Sequence, residues 1–127
     1  RHPTLTVLIS ELGIEWVPRL ITRVDVMAQP GVSPLVLGDY DLPRTPSEYF
    51  RDHVRISPVP ARRESPVEFL RTFPEMAVFS SDYPHHEGSG TPVSYYDELL
   101  DEVDPAVKAG FLGGTIATDY ERMGDPL

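Results

Sequence analysis

The distribution of apolar residues along the chain predicts three short strands, each followed by at least one helix. The first strand covers residues 4–10, where the sequence Thr-Leu-Thr-Val-Leu-Ile-Ser is β-branched and mostly apolar. The second strand covers residues 54–57, and the third covers 76–80, an apolar run that ends in polar residues. Near-continuous apolar strands of this kind are typical of parallel sheets that are covered on both faces.

Helical spacing and cap residues predict helices after these strands. Apolar positions that recur every three or four residues predict an amphipathic helix at 14–28, and residues 115–123 form a last helix. The segment 65–68 has the sequence of a capping box. The stretch 29–45 is rich in proline and glycine, which predicts an irregular loop. Cap residues followed by proline predict further helices that begin at Pro46, Pro66, Pro92 and Pro105.

Three parallel strands do not make a complete sheet. Repeated strand-then-helix units imply right-handed crossovers, and hence an α/β fold with a parallel sheet. Such a sheet needs cover on both faces and at both edges, and three strands leave two edges open. The chain also begins at Arg1, without an initiator methionine, and enters a strand almost at once. We therefore expect a segment of a larger barrel, because 127 residues are fewer than the roughly 250 of a closed (β/α)8 barrel.

Charge, cysteine content and apolar run length limit the partners, the cellular location and the metal ligands that we expect. Eleven basic and twenty acidic residues give a net charge of −9, so neither nucleic acid nor an anionic membrane surface is expected as a partner. The chain has no cysteine, which fits the reducing cytoplasm in which we expect it. No apolar run approaches the about 20 residues that span a bilayer. Any metal ion would have to be held by Asp, Glu and His side chains.

The polar end of the third strand carries the candidate chemistry. The carboxyl ends of parallel strands form one rim, so Glu11 and Asp82 are expected near each other. Asp82 is followed closely by His85, His86 and Glu87. Carboxylate oxygens and imidazole nitrogens are suitable ligands for Zn²⁺, Mn²⁺ or Fe²⁺. The sequence therefore indicates a possible metal site at this rim.

Each of these residues also has a purely structural interpretation. Asp82 precedes Tyr83-Pro84, and aspartate before such a sequence is a common turn former. His85 and His86 equally fit exposed positions in a loop. Glu11 is either a general base or metal ligand at a strand end, or a residue that caps the following helix, with its carboxylate near the positive N-terminal end of the helix dipole. From the residues alone, both interpretations stay open.

Four segments, in order, resemble the C-terminal part of one enzyme family. The sequence Ser-Ser-Asp-Tyr-Pro-His at 80–85 is similar to the last barrel strand of the amidohydrolase-2 family. This family comprises metal-dependent hydrolases and decarboxylases related to aminocarboxymuconate-semialdehyde decarboxylase. Residues 5–18 resemble its strand-six segment, 46–57 its approach to strand seven, and 111–120 its closing helix. The resemblance covers nearly the whole chain and implies strands six to eight of a (β/α)8 TIM barrel.

The resemblance also implies roles for the rim residues. Asp82 would bind the catalytic metal and handle the proton of its water, with His85 and His86 beside it at the rim. Glu11 stands where many relatives have a histidine, and Thr115 stands where the closing helix usually has asparagine. The family's paired histidines after strand one and its histidine after strand five have no counterpart here. A divalent metal would therefore require these ligands from an N-terminal barrel portion.

Three functional hypotheses follow. In the first, the completed barrel hydrolyses or decarboxylates a small carboxylated or cyclic substrate, with Asp82 and Glu11 as catalytic residues. In the second, the chain is a non-catalytic module that binds a partner, or a second copy of itself, through its open sheet edges. In the third, the chain is an independent small hydrolase with Glu11 and Asp82 as an acid/base pair. The third is the weakest because three strands give little shelter from water.

Overall fold

Two strands and six helices make up the described part of the computed structural model, which covers residues 2–29, 32, 42–60, 64–86 and 88–125. In chain order the elements are β1 (Val7–Ile9), α1 (Val17–Met27), α2 (Pro46–His53), β2 (Val54–Ile56), α3 (Pro66–Thr72), α4 (Pro92–Leu99), α5 (Pro105–Ala109) and α6 (Thr115–Met123). A kinked turn at Gly110–Gly114 joins α5 to α6. Most of the loop predicted at 29–45 lies outside the described residues. No helix in the described part of the chain has the length and apolarity to cross a membrane.

The sheet is parallel, as predicted. β1 pairs with β2 in a register that sets Ile9 opposite Ile56. The strand predicted at 76–80 is reduced to an isolated parallel bridge, in which Ala77 of this third extended segment pairs with Ile56 along the other edge of β2. The N–H of Ile56 donates to the carbonyl of Met76 at 2.8 Å, and the N–H of Val78 donates to the carbonyl of Ile56 at 3.0 Å. The carboxyl ends of all three segments therefore point the same way.

β1 is the outer strand of the described sheet, and it is less covered than its apolar sequence suggests. Leu5, Val7 and Leu8 are 55%, 45% and 55% exposed. Among the described residues, no strand pairs with the outer edge of β1. The prediction that this strand is covered on both faces is therefore wrong for this chain.

The two cap sequences before α2 and α3 behave differently. Thr45 forms a full capping box, in which its hydroxyl accepts from the N–H of Glu48 at 3.4 Å and the Glu48 carboxylate accepts from the N–H of Thr45 at 2.8 Å. Ser65 occupies the cap position of α3 but makes no side-chain cap hydrogen bond, so the capping box predicted at 65–68 is wrong. Proline in the first turn helps to start both helices.

The hydrophobic core lies between the sheet and the helices. Tyr96 packs edge to face against Phe79 and Phe111, with ring centroids 5.7 and 5.1 Å away. The N–H of Phe79 also donates to the carbonyl of Phe111 at 2.9 Å. These contacts attach α4 and the Gly110–Gly114 turn to the third extended segment, three residues before Asp82. The buried core residues are Ile14, Val17, Ile21, Ile56, Phe69, Leu70, Phe73, Met76, Ala77, Tyr96, Leu100 and Phe111.

Replacing Tyr96 by Phe should not destabilise the protein. Tyr96 is 1% exposed, and its hydroxyl has no hydrogen-bond partner among the described residues. Burial raises the pKa of this phenol. An unsatisfied buried hydroxyl costs roughly 1–3 kcal/mol, so Tyr96→Phe should keep the free energy of unfolding or raise it by about 1 kcal/mol. Urea denaturation measures this change, with Tyr95→Phe as the control; a loss above about 1 kcal/mol would show that the hydroxyl is hydrogen-bonded.

Candidate metal centre

Glu11, Asp82 and His85 lie together at the carboxyl end of the sheet. Each offers one ligand atom, and these three atoms lie within 4.8 Å of one another. The Nδ1 atom of His85 is 3.2 Å from Oδ1 of Asp82 and 3.9 Å from Oε1 of Glu11. Two carboxylates and an imidazole form a donor set that Zn²⁺, Mn²⁺ and Fe²⁺ accept.

Asp82 is the buried member of this cluster. Its side chain is 6% exposed, compared with 55% for Glu11 and 62% for His85. The Oδ2 atom of Asp82 is buried and has no hydrogen-bond partner among the described residues. Such an atom carries an uncompensated desolvation cost, which a neighbouring cation would offset. The donor set and this oxygen both fit a divalent cation.

Both carboxylates are carried by backbone in the left-handed region. The φ angle is 63° at Glu11 and 52° at Asp82. Aspartate reaches this region more readily than glutamate, and few residues other than glycine adopt it. Residues held in such conformations cluster at functional sites, where surrounding contacts maintain them. The backbone therefore favours a functional interpretation of this rim.

Local hydrogen bonds hold the turn at Asp82. The Asp82 carbonyl accepts from the N–H of His85 at 2.9 Å, and the N–H of Tyr83 donates to Oγ of Ser81 at 3.2 Å. Gly88 lies against this turn so closely that a Cβ atom there would be 2.4 Å from the Asp82 carbonyl oxygen. Asp82 thus forms a turn with its backbone while its carboxylate belongs to the rim cluster. The structural and functional interpretations of this residue are compatible.

The sequence also places His86 and Glu87 close to Asp82. His86 is exposed and is not one of the three clustered ligands, and Glu87 lies outside the described residues. Glu11 does not cap α1, because the helix begins at Val17 and its cap residue Trp16 makes no side-chain cap hydrogen bond. The capping interpretation of Glu11 is therefore wrong.

Glu64 is a buried acid that the apolar pattern does not single out. It is 7% exposed, and its Oε2 atom accepts from the N–H of Ile14 at 3.3 Å and from the N–H of Val59 at 3.1 Å. It thereby joins the loop after β1 to the loop after β2. In the sequence Glu64 directly precedes Ser65 and Pro66, which predict the start of a helix. An acid just before a helix is usually exposed, so the sequence does not indicate that Glu64 is buried.

Comparisons with known proteins support the fold. No model of a protein family matches the sequence, and no curated protein matches it. Among solved structures, an amidohydrolase from Mycobacterium avium subsp. paratuberculosis K-10 is similar over 93% of this chain, with a TM-score of 0.74 and 27% sequence identity. This chain covers 28% of the length of that protein. The chain therefore has an amidohydrolase-like α/β fold.

Proposed function

We propose that residues 1–127 are the C-terminal portion, strands six to eight, of an amidohydrolase-2-type (β/α)8 barrel. The complete barrel would be a metal-dependent hydrolase or decarboxylase of a small carboxylated or cyclic substrate. The observation that carries this proposal is the Glu11, Asp82 and His85 cluster at the carboxyl end of a parallel sheet. Barrel enzymes have their active sites at this end. The similar solved amidohydrolase supports the choice of fold.

Asp82 would hold the divalent cation, and Glu11 and His85 supply the other donors on this chain. Zn²⁺, Mn²⁺ and Fe²⁺ are each compatible with oxygen and imidazole ligands. When bound, such an ion polarises a substrate carbonyl and lowers the pKa of water. The Asp82 carboxylate has two oxygens, so it can both hold the ion and accept a proton. Glu11 is more exposed and can exchange protons with substrate or solvent at the rim.

The other part of the site would come from an N-terminal barrel portion as the partner. Among the described residues no strand pairs with the outer edge of β1, and Leu5, Val7 and Leu8 have exposed apolar side chains. A further strand paired there would extend the sheet, and the helices that flank such strands would cover those side chains. The matched solved structure extends well beyond the region that this chain covers. The proposed substrate is a small molecule rather than nucleic acid, and the proposed location is the cytoplasm.

A second candidate function rests on the same exposed edge. A non-catalytic module would use β1 to bind another protein or a second copy of the chain, and the rim cluster would have no role. The two candidates differ in their dependence on metal. Association of the module should be unaffected by chelators and by substitution of Asp82.

Native and denaturing mass spectrometry of the purified protein, with and without added Zn²⁺, distinguishes the two functions. The enzyme proposal predicts weak binding of one ion by the chain alone, and tight binding once a partner polypeptide supplies the remaining ligands. The ion should be lost with Asp82→Asn and kept with Glu98→Gln, which replaces an exposed acid on α4. Oligomers that neither bind the ion nor respond to chelators would instead support the interaction module.

A further inference from the structure

We propose that Glu64 is a positioning residue for the candidate metal centre. It acts by fixing the turn that carries Glu11, and this inference rests on the proposed function. Glu64 is not one of the three residues whose ligand atoms cluster at the rim. Glu64 can therefore affect cation affinity only through another residue. Its carboxylate contacts the turn that carries Glu11.

The Glu64 carboxylate connects two loops at the carboxyl end of the sheet. One oxygen, Oε2, accepts from the N–H of Ile14 in the loop after β1 and from the N–H of Val59 in the loop after β2. Both hydrogen bonds are buried. Hydrogen bonds to an ionised acceptor are about twice as strong as those between neutral groups. Removal of the carboxylate would leave two buried N–H donors without this acceptor.

The same carboxylate also contacts the middle of the Glu11 turn. Gly13 has a φ of +72°, and a Cβ atom built there would lie 2.1 Å from Oε1 of Glu64. The carboxylate therefore occupies the space beside Gly13 that a side chain would need. Trp16 adds a contact from the other side, since its Nε1 donates to the Gly13 carbonyl at 2.9 Å.

Glu64 thus holds the turn at two consecutive residues, Gly13 and Ile14. Glu11 lies just before them with a φ of 63°, a conformation that a free glutamate rarely adopts. A buried group that fixes its neighbours supplies the constraint that keeps Glu11 in this conformation. The Glu11 carboxylate is then held 3.9 Å from Nδ1 of His85 before a cation binds. Because the loop is already ordered, cation binding does not have to overcome the entropy cost of ordering it.

The test is a double-mutant cycle on Co²⁺ affinity, measured by isothermal titration of the full chain. We expect Glu64→Ala to weaken Co²⁺ binding about 10-fold or more, the usual scale for residues that orient ligands. In a Glu11→Gln background, the same substitution should change the affinity by no more than about twofold, because the residue through which it acts is already altered. Glu64→Gln keeps an oxygen acceptor and should lose less affinity than Glu64→Ala.

A purely structural role for Glu64 gives a different pattern. It would lower the melting temperature in both backgrounds and weaken Co²⁺ binding equally in both, which would overturn this inference. Unchanged Co²⁺ affinity in Glu64→Ala would also overturn it. If Glu64→Ala does not fold, Glu64→Gln and Gly13→Ala replace it in the cycle and should show the same dependence on Glu11. A wild-type chain that binds no Co²⁺, either alone or together with an N-terminal barrel portion, contradicts the proposed function itself.

Discussion

Asp82→Asn is expected to abolish divalent-metal binding while leaving the fold intact. Asparagine tolerates the left-handed backbone at this position, so the turn should form as before. The substitution removes the charge of the buried carboxylate, and Zn²⁺ affinity should fall by about 100-fold or more. In a completed barrel, turnover should fall by at least about 100-fold, because the same carboxylate is the proposed proton acceptor. Isothermal titration with Zn²⁺ and activity of the reconstituted barrel measure the two effects.

The metal-free protein provides the control for this experiment. Asp82 has a buried oxygen without a partner among the described residues, so neutralising the side chain should not lower stability in the presence of a chelator. Asp101→Asn, an exposed change on the same chain, should alter neither affinity nor stability. Zn²⁺ binding by Asp82→Asn with wild-type affinity would remove Asp82 from the site. A large loss of metal-free stability would instead assign it a structural role.

Asp119→Ala is expected to lower the free energy of unfolding by about 3–5 kcal/mol, the largest stability effect that we anticipate. Asp119 lies on α6 and pairs with Arg55 of β2, and their side chains are 4% and 7% exposed. The pairing is bidentate, with Nε to Oδ2 at 2.7 Å and Nη2 to Oδ1 at 2.9 Å. The substitution would leave the guanidinium buried without its counter-charge. Urea denaturation followed by circular dichroism measures the loss.

Two further variants identify the origin of this loss. The double variant Arg55→Met with Asp119→Leu removes both charges, and replacement of a buried ion pair by apolar residues is often neutral or stabilising. It should recover part of the stability, because Arg122, whose Nη2 lies 3.2 Å from Oδ1 of Asp119, also loses this partner. Glu121→Ala changes an exposed acid of the same helix and should have little effect. A loss below about 1 kcal/mol in Asp119→Ala would mean that water compensates Arg55, and the pair would then behave as a surface salt bridge.

The order of the elements and the location of the rim are predictable because they follow from local periodicity and chirality. Apolar runs and helical spacing define the strand-then-helix units, and right-handed crossovers make the strands parallel. Once the strands are parallel, Glu11 and Asp82 have to emerge at the same end. The structure confirms the parallel pairing of β1 with β2, and His85 lies close to both carboxylates. The metal and catalytic roles of these residues stay predictions.

Other features depend on tertiary packing, which the sequence pattern does not report. Ser65 and Glu68 have the residue types of a capping box, yet the cap hydrogen bond of Ser65 is absent from α3. The burial of Glu64 depends on two loops that are distant in sequence from each other. The left-handed backbone at Glu11 is equally invisible in the sequence, because glutamate has no preference for that region. None of these features follows from the local residue pattern alone.

The outer edge of β1 has a consequence for the colloidal behaviour of the protein. An uncovered strand edge with exposed apolar side chains is a template on which other copies can stack. At neutral pH the net charge of −9 makes copies repel one another and opposes such stacking. The repulsion vanishes near the isoelectric point of about 4.7 and is screened at high ionic strength. The acidity of this chain therefore opposes aggregation through the strand edge that the described residues leave open.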